Sequence, residues 1–309
     1  MNEKLLAIQN NKELILSKSL NKFFEISNLK IQLGFEIEFY VRSSAGGDEL
    51  LTDDTINSFF KLANDRCNEV EIFDKIELEK GRFQCEIKTK PSFDVDFALD
   101  KLSEIAKEIE LCCKEINLIA IYDSRPFLED CGNAFQINFS LTDNNGLNIF
   151  SNSSKIAADI ADFITFHLSE IFVFSNKADE DFTRYDSIYN KSIFKSGKFV
   201  APTSKSWGYD NRTCAVRVLN SASHKNNARI ELRIPSNNSD KHLLISCLAL
   251  LLCEFFSLEG DYKVKNKNIY GNSFDDNYVQ HKFPESYQEA VECFFDEEGV
   301  IFPAMTKLL

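Results

Sequence analysis

Proline (6), glycine (11), methionine (2) and tryptophan (1) are all scarce in this chain of 309 residues. So little Gly and Pro excludes collagen-like repeats and low-complexity linkers. Basic residues are in deficit as well, 35 Lys and Arg against 48 Asp and Glu, for a formal charge of −13. A general binder of phosphate backbones needs a net cationic face, so nucleic acid is not expected as a partner. Long apolar runs are missing. The most apolar stretch, 243–253, is about half of what a bilayer span requires, which predicts a core helix and no membrane partner. Met1 to Asn11 carries charge and amides without an apolar centre, so a signal peptide is not expected there. There is no P-loop or G-x-G-x-x-G, and Ser140 lacks the G-x-S-x-G setting of a serine nucleophile. The nine cysteines make no C-x-x-C pair and no Cys/His zinc spacing, so the expectation is reduced thiols in a cytoplasmic protein. His167, His224, His242 and His281 show no metal spacing either.

What is present is an ordinary globular balance, 44% hydrophobic with 28 Phe, in a length that can bury a large core. Helical spacing of apolar residues predicts one or two helices over 3–26 and further helices near 53–66, 95–116, 154–172, 240–257 and 285–295. Ser239 is a candidate N-cap for the helix near Asp240. Alternation predicts strands at 30–42, 69–78, 82–89, 117–122, 134–141, 213–219 and 228–234, with a turn at 43–49. Residues 175–211 read as irregular loops covering a site. Paired strands at 69–89 and 213–234 favour hairpins, hence an α+β fold with a curved, mainly antiparallel sheet backed by helices.

The chemistry concentrates on strands. Glu36 and Glu38 alternate with Phe35, Ile37 and Phe39, so both carboxylates share the face away from the core, roughly 7 Å apart. From that pair alone, a solvated strand face is the leading reading. Glu79, Glu86 and Glu231 add three more acids in strand-like sequence, and Glu231 is flanked at period two by Arg229 and Arg233. Two carboxylates about 5 Å apart repel by roughly 3 kcal/mol at an effective dielectric near 20. Converging acids therefore protonate, splay apart or take up a hard cation, for which Mg²⁺ or Mn²⁺ is suited.

These segments resemble the glutamine synthetase family. GFEIEFY (34–40) is similar to its G-x-E-x-E-F strand, and Glu79 to Glu86 to its E-x₄-Q-x-E segment. GNAFQINFSL (132–141) resembles G-x-G-x-H-x-H-x-S-L. Asn211-Arg212 with Val216-Arg217-Val218 resembles N-R-x₄-R, and ARIELRIPS (228–236) resembles R-x-E-x-R-x-P. FPESYQEAVECF (283–294) echoes a pattern near the family's C-terminus, and all six matches fall in the family's order.

The resemblance implies a catalytic domain over 30–309 behind an N-terminal helical segment, 1–29, which leaves too little room for the family's N-terminal β-grasp domain. It implies an ATP- and Mg²⁺- (or Mn²⁺-) dependent ligase joining a glutamate-type carboxylate to ammonia or another amine through an acyl phosphate. Glu38, Glu79 and Glu86 would hold one cation and Glu36, Gln136 and Glu231 a second. Arg212, Arg217 and Arg229 would address nucleotide phosphates and the transferred group, with Arg212 and Arg229 catalytic. Arg233 and Gly132 would bind the acid substrate, and Asn138 and Ser140 would lie near the nucleotide. Gln136 and Asn138 stand where the family has histidines, and no substrate flap with its Glu is recognisable in 175–211. Two alternatives follow: a catalytically weakened relative that binds nucleotide, amino acid or a protein partner, and a γ-glutamyl ligase for another amine. The family's double ring is not expected, since it needs contacts this chain largely lacks.

Overall fold

The computed structural model describes residues 3–46, 51–220, 227–275, 277–278 and 281–309. Strand alternation is clearest in β1 (Lys30–Ser43), the centre of the sheet. Its Phe35 stacks on Phe135 at 5.4 Å between ring centroids, and Phe39 meets Phe59 edge-on at 6.3 Å. Burying these rings on one face forces Glu36 and Glu38 onto the other, because the side-chain period of a strand is two.

The remaining strands are β2 (Phe73–Leu78), β3 (Gln84–Thr89), β4 (Leu118–Ile121), β5 (Phe135–Thr142), β6 (Trp207–Tyr209), β7 (Val216–Leu219) and β8 (Arg229–Leu232). They run in the order β2-β3-β1-β5-β8-β7-β6, with β4 paired to the end of β1. Every pairing is antiparallel save the short edge β6–β7, which is parallel. A mainly antiparallel sheet backed by helices is what the sequence pattern implied.

Helices cover the apolar face. Lys241–Ser257 is buried without a break from Leu243 to Cys253, the pattern of a helix enclosed on all sides. It packs on Lys12–Ser27, whose Ile15, Leu16 and Phe23 join the same core, so the N-terminal helices are part of the packed fold. Asp240, not Ser239, caps the Lys241–Ser257 helix: its backbone is extended and its carboxylate accepts from the Leu243 amide at 3.3 Å. No helix among the described residues is long and apolar enough to cross a membrane. All nine cysteines are free, eight of them buried.

Three other departures have local causes. The helix expected over 154–172 breaks at His167 into Ser154–Phe166 and Leu168–Ser175. His167 Nδ1 bonds Glu170 Oε1 at 2.5 Å, and Glu170 Oε2 in turn accepts from the amides of Val300 and Ile301 at 2.7 and 2.9 Å. That carboxylate thereby satisfies the first amides of a helix, Ile301–Thr306, that the sequence reading omits. The segment 175–211 is also less irregular than expected. It holds Asp179–Phe182 and Ser187–Lys195, the latter capped by Asp186, which accepts from Ile188 and Tyr189 amides. Part of the expected turn at 43–49, residues 47–49, and His224 lie outside the described residues.

Candidate active site

The polar face of the sheet assembles the acids by register. Glu38 on β1 lies opposite Glu86 on β3, and Glu86 opposite Glu77 on β2. Glu79 comes from the tight turn that joins β2 to β3, where its amide bonds the Gln84 carbonyl at 2.8 Å. That turn needs two special residues. Phe83 adopts φ 61°, a left-handed conformation that costs an L residue about 1–2 kcal/mol. A Cβ on Gly81 would stand 2.0 Å from the Tyr40 hydroxyl. Gln84 fixes the turn to the next loop, donating to Gly132 O at 3.2 Å and Asn133 Oδ1 at 3.1 Å.

The result is a cluster in which one carboxylate oxygen each from Glu38, Glu79 and Glu86 lies within 4.8 Å of the others. Glu38 is buried, and its two oxygens accept from Ala134 N and Gln136 Nε2, both at 2.8 Å. Burial and then the Glu79 charge push its carboxyl up to about 7. Glu36 is pushed up to about 8 by burial, then by Glu231 and Glu86, and it shares a hydrogen bond with Glu86. Burial and the Glu38 charge raise Glu86 too, although Lys88 offsets part of this through an ion pair at 2.8 Å. Glu36, Glu38 and Glu86 are all shifted toward the neutral form by burial and one another's charge, and a hard divalent cation on the Glu38, Glu79 and Glu86 oxygens would supply the missing positive charge. The residues fit such an ion.

The second set is not brought together in the same way. Glu231 is clasped by Arg233 Nη1 at 2.6 Å and Arg217 Nη1 at 2.9 Å. Burial alone would raise its carboxyl, but the two arginines outweigh this and hold it below the usual range. Gln136 faces Glu36 across the β1–β5 register, yet its amide nitrogen goes to Glu38; its oxygen is buried without a partner. Arg217 also bonds Asp210 Oδ1 at 3.3 Å.

Two clefts flank the carboxylate row. The larger, about 320 Å³, is lined by Gln32, Glu36, Lys88, Asn138, Ser140 and Arg229. Arg229 Nε donates to Asn138 Oδ1 at 2.7 Å, and Asn138 Nδ2 to Glu36 at 3.1 Å. The smaller, about 30 Å³, has Glu38, Glu79, Gly132, Gln136, Arg212 and Arg233 on its wall. Phe199, Val200 and Ala201 complete that wall, held by Cys131 Sγ to Phe199 O at 3.2 Å and Asn190 Nδ2 to Ala201 O at 3.2 Å. Arg212 is exposed at the rim, its guanidinium 5.2 Å from the Phe199 ring centroid.

The sequence profile described as "Glutamine synthetase, catalytic domain" matches residues 50–307, which takes in every strand but β1, the one that carries Glu36 and Glu38. The chain belongs to the glutamine synthetase catalytic-domain family. Glutamate–isopropylamine ligase of a Pseudomonas species is 26% identical over 230 residues, covering 72% of this chain and 47% of the relative. Gamma-glutamylputrescine synthetase of Escherichia coli is 23% identical over 207 residues, 63% of this chain and 40% of the relative. Glutamine synthetase of Pyrococcus abyssi is 25% identical over 254 residues, 76% of this chain and 54% of the relative. The chain thus spans about half or less of the curated relatives it matches. The fold agrees with a GmaS–ADP complex at TM-score 0.78 and 16% identity, covering 95% of this chain and 70% of that one. It also agrees with Plasmodium falciparum glutamine synthetase at TM-score 0.71 and 17% identity, covering 95% and 74%.

Several residues that shape the site escaped the sequence reading. Arg184 is 2% exposed and donates to Ile234 O at 2.6 Å and Pro235 O at 3.1 Å, pinning the segment that follows β8 and holds Arg233. Lys88 bridges Glu86 and Glu77. Asn133 is fully buried and ties Gln84 to Ile121 O and Asp123 O. Only Lys88 had a readable signal, since period two from Glu86 puts it on the same strand face.

The buried acids set a pH dependence. Glu36 and Glu38 have folded-state values of about 8 and 7 against an ordinary 4.5. A raised carboxyl contributes stability that is complete below the ordinary value and is lost as pH climbs through the folded one. Metal-free protein should therefore be less stable at pH 8.5 than at pH 5.5, on the order of 1–3 kcal/mol, and melt at a lower temperature. Glu77, Asp130, Glu170 and Glu231 are lowered, so their stability is lost only under more acidic conditions; His242 and Lys241 are lowered from 6.5 and 10.5, gain stability as pH rises toward those values, and offset part of the loss. Equal melting temperatures in EDTA at the two pH values would contradict the buried-acid description. A second expectation concerns Gln136, which stands where the family pattern has a histidine, because an imidazole nitrogen is a common metal ligand and the Gln136 side chain already donates to Glu38. Gln136→His should raise Mn²⁺ affinity by about tenfold in calorimetric titration. A fall in affinity with the fold intact would mean that residue 136 does not face the cation.

Proposed function

We propose that the chain is an ATP- and Mg²⁺- or Mn²⁺-dependent ligase joining a glutamate-type side-chain carboxylate to an amine, with an alkyl-bearing amine favoured over ammonia. One observation carries this reading: a larger and a smaller cleft lie along one row of carboxylates, with Glu36 lining the larger and Glu38 and Glu79, two of the three clustered acids, lining the smaller. In this reading the nucleotide takes the larger cleft, with Arg229, Asn138 and Ser140 beside it and Arg217 behind Glu231. The acid substrate takes the smaller, on Arg233 and the Gly132 loop, with Arg212 at the rim. A carboxylate is a poor electrophile until one oxygen becomes a leaving group. The γ-phosphoryl group of ATP therefore moves to that oxygen first, and the amine then attacks the carbonyl carbon, phosphate departs and the amine gives up a proton. A divalent cation on Glu38, Glu79 and Glu86 supplies fixed positive charge for the phosphoryl group. The arginines add planar, bidentate donors that match phosphate and carboxylate.

The amine preference rests on the wall of the smaller cleft. Phe199, Val200 and Ala201 give an alkyl group apolar surface in a cleft whose other walls carry Glu38 and Glu79. The relatives named for isopropylamine and putrescine support the same choice. A second reading is favoured by the size of that cleft: at about 30 Å³ it holds roughly one water, so glutamate requires the 199–201 segment to move. A protein in which it does not move binds nucleotide and metal without turnover. Phosphate release with ATP, Mg²⁺ or Mn²⁺, glutamate and a panel of amines decides between them. Turnover highest with small alkylamines supports the ligase; nucleotide binding with no phosphate release for any amine supports the silent binder.

A further inference from the structure

On the sheet face opposite the carboxylates, a cavity of about 380 Å³ opens between helix Val95–Glu115, the apolar side of β1 and β5, and the first turn of helix Lys241–Ser257. Its floor is apolar, formed by Ile37, Leu99, Leu102 and Phe135. Its wall is cationic, with Lys12, Lys177 and Lys241 and the half-buried His242. Among the described residues none of these three lysines forms an ion pair, in a chain whose net charge is −13. Two acids face the same space. Asp240 is committed to the Leu243 amide, and Glu110 is exposed on its helix.

Lys241 is the unusual member. Its ammonium lies 4.7 Å from the Phe135 ring centroid and donates to the Asn237 carbonyl at 2.9 Å. Burial, then the neighbouring Lys177, bring it down to about 8 from an ordinary 10.5. A ring face and one carbonyl are weak compensation for a desolvated ammonium. Two hydroxyls on the wall are unpartnered as well. Ser239 is only 5% exposed, and neither its Oγ nor the Tyr122 hydroxyl has a hydrogen-bond partner. Asn237 further donates its side-chain amide to the Glu38 carbonyl at 2.8 Å, so the cavity and the carboxylate row share a residue.

We propose that this cavity binds a small organic anion, one carboxylate or phosphate group on an apolar body, with the anion at Lys241 and Ser239 and the body on Ile37, Leu99 and Phe135. The charge answers three unpaired ammonium groups, the hydroxyls supply donors, and the apolar floor accounts for the body. A bare inorganic ion would leave that floor bare.

Calorimetric titration of the full chain with hexanoate, hexyl phosphate, inorganic phosphate and neutral hexanamide tests this. At least one of the two hexyl anions should bind, about tenfold or more tighter than hexanamide and than inorganic phosphate. Which of them binds tighter tells a carboxylate ligand from a phosphate ligand. Lys241→Gln should weaken that binding by about tenfold and Ser239→Ala by a few-fold, with the melting temperature and the Mn²⁺ titration close to wild type. The bound anion should also protect Lys241 from limiting acetic anhydride, read by peptide mass spectrometry. The proposal is overturned if neither hexyl anion binds folded wild type up to about 10 mM. Equal binding of hexanamide, or unchanged anion affinity in Lys241→Gln, overturns it equally.

Discussion

Glu79→Gln should melt slightly higher than wild type without metal and gain almost nothing when Mg²⁺ or Mn²⁺ is added. In wild type, a cation held only by the folded state adds about 2.7 kcal/mol at a hundredfold excess over its dissociation constant. At about 2.1 cal/mol/K of unfolding entropy per residue, each kcal/mol is worth about 1.5 °C in a chain of 309 residues, so the wild-type gain is roughly 4 °C. Glu79 is the right acid to remove. It is half-buried, and among the described residues its side chain makes no hydrogen bond, so Gln in its place leaves no partner stranded. Its charge does act on Glu38, where it is the largest contribution after burial to the raised carboxyl. Removing that charge relieves Glu38 in the empty protein and takes one of three ligand groups from the cation. Glu38→Ala is a poorer probe, because it strands the Ala134 amide and the Gln136 side chain, at about 1–3 kcal/mol each. A wild-type melting temperature that stays flat across both metal titrations would remove the cation site. Full metal stabilisation in Glu79→Gln would show that the ion binds elsewhere.

The sheet was legible because strand alternation is local and strongly patterned. Phe35, Ile37 and Phe39 against Glu36 and Glu38 fix which face of β1 meets the core, and the rest of the acids follow from pairing register. Family resemblance placed Glu79 next to Glu86, which spacing alone does not do; the left-handed Phe83 and the close approach of Gly81 to Tyr40 are what make the turn. Long-range capping was out of reach. Nothing near Ile301 announces that Glu170, more than a hundred residues earlier, accepts from its amide. The same holds for Arg184, whose role is set by the carbonyls of Ile234 and Pro235 and not by its own neighbours. The two-cation assignment illustrates a different limit. Resemblance puts Glu231 among metal ligands, but its state depends on two arginines at 2.6 and 2.9 Å, a distance that sequence does not contain.

Those arginines lead to the second large effect, a split between Arg229 and Arg233. Arg233 is buried on the smaller cleft, paired through Nη1 with Glu231, and its Nε has no partner. Arg229 lines the larger cleft, and its Nε donates to Asn138. Lysine keeps the charge at either position but loses the planar fork, so each substitution tests geometry and not charge. Arg233→Lys should raise the KM for the acid substrate by about tenfold or more while the KM for ATP stays within about threefold, since a bidentate clamp is lost on one substrate only. Because the introduced ammonium would still neutralise Glu231, the protein should remain folded, which an unchanged far-ultraviolet spectrum would verify. Arg229→Lys should instead lower turnover by about a hundredfold with a smaller loss of nucleotide affinity, the pattern of a donor that matters most as charge develops on the transferring phosphoryl group. Calorimetry with a non-hydrolysable ATP analogue and with glutamate supplies the binding half of the comparison even where turnover is too low to follow. If Arg233→Lys weakens the nucleotide and spares glutamate, the two clefts are assigned the wrong way round. If both variants leave both ligands untouched, the strand Arg229–Leu232 and the residue that follows it do not serve the substrates, and the arginines are there to keep Glu231 ionised.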